Sequence, residues 1–244
     1  MTASAAPPIS KERHRIQRMF GTIAPTYDFF NHAFSLNIDQ MWRRFTVKQA
    51  LRPTDRRVLD LACGTGDLTL ALRKAAHRDC EVIGADFCPP MLRIAHKKGR
   101  GLGEPPFVAG DGLRLPFGGE TFDLVTIAFG LRNMEDTEAG LTEMHRVLRP
   151  GGRLAVLEFT LPANPLFRLG YLSYFRTVLP AIGRVATKSD AYRYLSESVM
   201  EWPNKRELAA MMRRCGFARV RHAELSFGIA VLHIAEKPKI SPMA

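Results

Sequence analysis

Arg57-Val-Leu-Asp-Leu-Ala-Cys-Gly-Thr-Gly-Asp-Leu-Thr69 limits the kind of sheet this chain can build. Val58 to Leu61 is a short apolar run, Cys63-Gly64-Thr65-Gly66 is a tight turn, and Leu68 to Leu72 has helix-forming composition. Together they predict a strand, a glycine turn and a helix start. Gly64 and Gly66 allow backbone angles that other residues avoid and let a ligand lie against the main chain. The helix behind them aims free N–H groups into the turn. Such a unit opens several kinds of nucleotide site, and the local residues sort them. A dinucleotide fingerprint needs a third glycine where this chain has Thr69, and a phosphate-binding P-loop needs a Gly-Lys-Ser/Thr tripeptide that this sequence lacks. Asp60 stands four residues before Gly64, where its charge repels a pyrophosphate and attracts an ammonium group. S-adenosyl-L-methionine carries an ammonium and a sulfonium and no phosphate, so it suits that charge. The competing reading of Asp60 is a turn-capping aspartate in a general α/β protein.

Outward from this unit the chain alternates. Glu81–Asp86, Phe107–Gly110, Phe122–Phe129 and Arg153–Phe159 read as further strands, with helices from Pro89 to about Lys98 and from Thr137 to Arg149. Phe217–Leu225 and Ile229–Glu236 read as a closing hairpin around Phe227-Gly228, after a helix over Lys205–Cys215. The pattern predicts a mostly parallel, seven-stranded α/β sheet of Rossmann-like type with an antiparallel C-terminal hairpin. Ligands of open parallel sheets bind at the carboxyl ends of the strands. Asp60, Asp86 and Asp111 stand at three such ends. Asp86, twenty positions past Gly66, is spaced to take two ribose hydroxyls. Asp111, beside the flexible Gly112, is placed to accept from an adenine amino group, and Asp60 to serve the methionine ammonium. Any one of them alone could merely cap a helix; three in register with a Gly-x-Gly turn point to a site for S-adenosylmethionine.

The 244 residues are 46% hydrophobic and carry a formal charge of +11. That size supports a full core, and the charge favours an anionic partner: nucleic acid, an anionic membrane surface or an acidic substrate. Cys63, Cys80, Cys88 and Cys215 lack paired zinc-type spacing, so free thiols in a reducing cytoplasm and no metal are expected. No apolar run reaches the length needed to span a bilayer, and no signal-peptide pattern opens the chain. Residues 1–10 read as a loose tail. Residues 11–51 read as a helical lid, with a basic helix from Lys11 to Met19, an aromatic stretch from Phe20 to Phe34 interrupted by Gly21 and Pro25, and a helix from Ile38 to Leu51. Residues 52–238 form the main domain, with a helical insertion at about 160–204. Between Leu166 and Lys188 that insertion is apolar and aromatic, and its charges are all positive: Arg168, Arg176, Arg184 and Lys188. This composition suits an anionic membrane surface at the inner face of the cell membrane. The competing reading is a helix that packs a homodimer or the core.

Val58-Leu-Asp-Leu-Ala-Cys-Gly-Thr-Gly-Asp-Leu-Thr69, Phe129-Gly-Leu-Arg-Asn133, Val147-Leu-Arg-Pro-Gly-Gly-Arg-Leu154, Ser189-Asp-Ala-Tyr-Arg-Tyr-Leu-Ser-Glu-Ser198 and Met19-Phe-Gly-Thr-Ile-Ala-Pro-Thr-Tyr-Asp28 resemble the ubiquinone/menaquinone biosynthesis C-methyltransferases. The resemblance runs from about Arg15 to Lys237. It implies a class I S-adenosylmethionine-dependent fold and carbon methylation of a polyprenylated quinol, most often demethylmenaquinol to menaquinol and in some members a methoxy-polyprenyl-benzoquinol. It also implies cofactor contacts at Thr69, Asp86 and the pair Asp111-Gly112. Ala128 departs from members that have Ser there, and Ala62 stands where wider methyltransferases often have Gly.

Quinol methylation needs a phenolate, and lowering a phenol pKa from about 10 to about 7 takes roughly 4 kcal/mol of preferential stabilisation. Arg132, just past the fourth strand, is the candidate cation. Its own proton is held too tightly for it to be the base, so it is expected to stabilise the phenolate and orient a water, with Asn133 helping. Tyr192 or Tyr194 is expected to hold a quinol oxygen. The competing role for Arg132 is a structural salt bridge. A nucleic-acid methyltransferase is the rival suggested by the net charge, but Ala128-Phe129-Gly130 replaces the Asn/Asp-Pro-Pro-Tyr/Phe motif of amino-methylating enzymes, so no nucleic-acid partner is expected. A non-catalytic nucleotide-binding module is the third reading.

Overall fold

The computed structural model describes residues 12–173 and 191–239. Strand β1 (Arg57–Leu61) is almost wholly buried, as expected of a strand covered on both faces. It pairs in parallel with β2 (Glu81–Asp86) on one side and β4 (Phe122–Ala128) on the other. With β3 (Phe107–Ala109), β5 (Leu148–Phe159), β6 (Ala218–Leu225) and β7 (Ala230–Glu236), the sheet runs β3-β2-β1-β4-β5-β7-β6. β7, lying between β5 and β6, runs antiparallel to both. The chain reverses its lateral direction between β3 and β4, so β1 and β4 flank the switch point, where open sheets bind ligands.

Alternate residues of each strand feed opposite cores. Leu59, Leu61, Val125 and Ile127 pack with helices α6 (Thr137–Val147) and α9 (Lys205–Arg214). Val58 and Leu124 face the other way, toward α3 (Ile38–Ala50) and α4 (Asp67–Ala75). Asp60 shares this second face, and its register sets it beside Thr126 of β4. Helix α5 (Pro89–Gly99) follows β2. Helices α1 (Arg13–Ile23) and α2 (Tyr27–Phe34), joined by a 3-10 turn at Ala24–Thr26, precede the sheet.

Two boundaries differ from expectation in ways that packing explains. α1 runs through Gly21 to Ile23, so Pro25 alone ends it. β5 starts at Leu148 rather than Arg153 because Leu148 already pairs with Phe122, and a register shift before Leu124 absorbs the Pro150-Gly151-Gly152 turn. The insertion after β5 contains α7 (Pro165–Ser173) and α8 (Ala191–Met200); Arg176, Arg184 and Lys188 of its positive run lie outside the described residues. Among the described residues, no helix is long and apolar enough to cross a membrane.

Candidate active site

The turn after β1 takes the left-handed angles its glycines permit, with φ of 56° at Gly64 and 88° at Gly66. A Cβ on Gly64 would meet no atom within 4 Å, so the backbone there faces open space. Gly66 is glycine for a second reason: a Cβ would lie 3.0 Å from the Phe107 ring. Ala62 also has a positive φ of 51°, so this alanine takes a conformation better suited to glycine.

The acids at the strand ends have distinct settings. Asp60 is buried and accepts hydrogen bonds from Thr69 Oγ1 at 2.6 Å and Thr126 Oγ1 at 2.8 Å. Burial pushes its pKa up to about 6, against the pull of those two hydroxyls. Asp86 accepts from the Gly64 N–H and the Cys88 N–H, each at 2.8 Å; burial again pushes its pKa to about 6 and the backbone donors oppose the rise. Asp111 accepts from the Leu113 N–H at 3.0 Å and pairs with Arg13 of α1 at 2.9 Å. Thr69 is thus tied to Asp60.

Two small cavities adjoin at Ala62. One, of about 160 Å³, is bounded by Asp86, Asp111, Gly112 and Met134, with Ile16 and Arg13 of α1 along its edge. The other, about 20 Å³, is bounded by Asp60, Gly64, Thr65, Asp67 and Ala128. An adenosyl group with a cationic amino-acid tail fits this arrangement. The larger space sits beside the carboxylates spaced for ribose and adenine, the smaller beside a buried carboxylate, and the open backbone of Gly64 lies at the smaller.

A third cavity, of about 500 Å³, shares Tyr27 and Arg43 with the smallest one. Its walls are mainly aromatic and aliphatic, from Phe20 and Ile23 of α1 through Trp42, Phe129 and Phe159 to Tyr171 and Phe227. Phe129 carries a positive φ of 59° and stacks on Phe159 at 4.4 Å, a costly backbone conformation for a bulky residue. Its carbonyl accepts from Arg132 Nη1 at 2.6 Å and from Asn133 Nδ2 at 3.2 Å.

Arg132 lines this cavity, but it is also buried and ion-paired with Glu158 at 2.9 Å. Both roles weighed for it therefore have a physical basis. Its Nε has no hydrogen-bond partner among the described residues. Tyr194 Oη donates to Asn133 Oδ1 at 3.1 Å; Asn133 faces the 160 Å³ cavity and Tyr194 the large one, so the pair forms part of the partition between them. Burial raises the Tyr194 pKa, partly offset by Arg132. Tyr192 lies in α8, with its side chain outside the described residues.

Sequence reasoning missed Tyr27 and Arg43, which join the large cavity to the glycine turn, and Asp39, which lines the large cavity beside Arg43. Their only signal was position: they alternate with apolar residues on α2 and α3, and only packing turns them toward β1. Asp39 is buried on the cavity wall, held by Ser35 Oγ at 2.7 Å and His32 Nδ1 at 3.0 Å. Lys98 ties Asp28 and Asp67 together beside it. A metal is a poor fit for the Asp28, His32 and Asp67 group, because the Lys98 ammonium already sits between its two carboxylates.

The sequence pattern of the ubiE/COQ5 methyltransferase family matches residues 9–237. A demethylmenaquinone methyltransferase of Deinococcus radiodurans is 46% identical over 97% of this chain and 100% of its own. One of Thermus thermophilus is 49% identical over 90% of this chain and 100% of its own. A ubiquinone/menaquinone biosynthesis C-methyltransferase of Geotalea uraniireducens is 41% identical over 94% and 99%. Among solved structures, a SAM-dependent methyltransferase of Thermotoga maritima, described as a possible histamine N-methyltransferase, superposes with a TM-score of 0.64 at 20% identity over 91% of this chain and 99% of its own. That likeness concerns the fold.

Proposed function

The chain belongs to the ubiE/COQ5 methyltransferase family and is an S-adenosylmethionine-dependent C-methyltransferase, and on that premise we propose that it methylates a ring carbon of demethylmenaquinol to give menaquinol. The observation that carries this reading is the large apolar cavity meeting the glycine-turn site at Tyr27 and Arg43. A polyprenylated aromatic ring suits such walls, and the junction is where a methyl group would have to cross.

S-adenosylmethionine, when bound, supplies an electrophilic methyl group. Asp86 takes the ribose hydroxyls, Asp111 and Gly112 the adenine edge, and Asp60 with Thr69 the methionine end, where the backbone of Gly64 and Gly66 allows close approach and Ala128 leaves room. Phe129 and Phe159 hold the quinol ring by stacking. Arg132 stabilises the ring oxygen as it ionises, Asn133 orients a water, and Tyr194, with Tyr192 as the alternative, holds a quinol oxygen. Glu158 already neutralises much of the Arg132 charge, so Arg132 acts as a hydrogen-bond donor more than as a free cation.

Apolar residues stand exposed at the cavity rim: Leu36 at 81%, Leu166 at 77% and Phe227 at 74%. In this reading they meet the lipid surface at the inner face of the cell membrane, and the prenyl tail leaves the cavity there. A methoxy-polyprenyl-benzoquinol is the second substrate reading, favoured by the name of the Geotalea relative. The test is transfer of labelled methyl from S-adenosylmethionine to demethylmenaquinol, the benzoquinol and RNA in parallel. Label in menaquinol is expected. Label in RNA alone would refute the reading.

A further inference from the structure

We propose that Asp39 is the proton acceptor for the substrate hydroxyl, held in place by His32; this rests on the quinol reading above. Asp39 sits in the first turn of α3, 4% exposed, and borders the large cavity. One turn along, Arg43 borders both this cavity and the small one at the glycine turn, and its Nε lies 3.6 Å from Asp39. The guanidinium thus stands at the junction the methyl group must cross, with the carboxylate beside it on the wall of the large cavity.

Polar groups of α2 and of the turn before α3 surround Asp39. His32 of α2 approaches both carboxylate oxygens through Nδ1, at 3.1 and 3.0 Å, and Ser35 donates to Oδ1. The opposite ring nitrogen of His32 faces Gln40 at 3.3 Å and Asp67 of α4 at 3.5 Å. Lys98 of α5 sits behind Asp67. His32 is 26% exposed and links the buried carboxylate to the surface. Arg132, by contrast, has a buried carboxylate of its own in Glu158. Arg43 Nε makes no hydrogen bond among the described residues, and its guanidinium lies over the Phe129 ring on the cavity wall, 5.4 Å from the ring centroid, a positive charge beside the place where the phenolate forms.

The proton count closes. The quinol O–H bond breaks and the proton moves to an Asp39 oxygen. The electron pair left on the ring oxygen feeds the ring carbon, which forms its bond to the methyl as the methyl–sulfur bond breaks and that pair stays on sulfur. The ring hydrogen then leaves to water as a proton, and Asp39 returns its proton to the ring oxygen. One proton is released per turnover.

Two measurements test this. In wild-type protein without cofactor, 1,4-dihydroxynaphthalene should bind about 10-fold tighter than its dimethyl ether, as a hydrogen bond to a charged acceptor implies; Asp39→Asn and Asp39→Ala should each reduce that preference to below about 2-fold. In turnover, Asp39→Asn should lower kcat about 100-fold or more, leave S-adenosylmethionine affinity unchanged by calorimetry, and lose least on quinols bearing acidifying ring substituents. Formate should restore part of the Asp39→Ala rate. Equal binding of hydroxyl and ether forms by wild type overturns the proposal even if neither variant folds. A kcat within threefold of wild type, or a loss that is the same for every quinol, also overturns it. If wild type methylates RNA and no quinol, the substrate reading falls and this role falls with it; a wild type active on quinol beside an equally active variant refutes Asp39 alone.

Discussion

Asp60 and Asp86 bring the same carboxylate to the same dry rim, and burial pushes both to a pKa of about 6. Protonating either removes a charge or an acceptor from the proposed cofactor site. S-adenosylmethionine affinity should therefore fall as pH drops through 6, by about 4-fold per acid between pH 7.5 and 5.5, as titration calorimetry would show. For stability the sign is reversed. The folded chain takes up these protons near pH 6 and the unfolded chain near 3.8, so the two acids contribute less stability as pH rises from 4 to 6. His233, buried and lowered to about 4, works the other way: the unfolded chain protonates first, and stability is lost as pH falls from about 6.5 to 4. Arg132 and Glu158 form a second residue-scale unit. Removing one partner strands the other charge in a dry site, so Glu158→Ala should cost about 3–5 kcal/mol in urea unfolding. Arg132→Ala should lower kcat strongly and spare S-adenosylmethionine affinity; an equal loss of both would limit Arg132 to a structural role.

At the scale of elements, α9 shows how local sequence and tertiary packing divide the work. Asn204 accepts from the N–H groups of Arg206 and Glu207 while Glu207 accepts from the Asn204 N–H, a reciprocal cap. Leu208 and Met212 bury one face against the sheet. Asn204→Ala should cost about 1 kcal/mol, read as a lower midpoint in chemical denaturation with methyl transfer unchanged, because α9 touches none of the three cavities. Helix α3 differs. Trp42 packs against Phe129 and Phe159 and donates to Ser226 Oγ at 2.9 Å, fastening the helix to the closing strands. The same helix sets Asp39 and Arg43 on the cavity wall, so it forms a wall of that cavity.

Over the whole molecule, the proposed membrane contact joins the apolar rim to the net charge of +11. Phe167 and Phe227 stack at 4.8 Å at the cavity mouth while remaining 48% and 74% exposed. Basic side chains near an anionic bilayer add about 1 kcal/mol each, and the aromatic pair adds apolar contact. The double variant Phe167→Ser, Phe227→Ser should cut flotation with anionic vesicles several-fold and raise KM for long-tailed quinols more than for short-tailed ones. Equal wild-type flotation with neutral and anionic vesicles would remove the electrostatic contribution.

The chain alone determined the sheet and its ligand edge. Strand alternation, Gly64, Gly66 and acids at successive strand ends are local signals, because a left-handed turn and a buried strand each select residues within a few positions of themselves. The Arg132-Asn133 pair was legible as a motif, though its partners were not. Tertiary structure decided the rest. Glu158 meets Arg132 because β5 lies beside β4, Thr126 meets Asp60 through strand register, and Asp39 and Arg43 reach the junction only when α3 packs on that face of the sheet. A charge's partner depends on distance through space, and residues 26 or 66 positions apart acquire that distance only when the sheet closes.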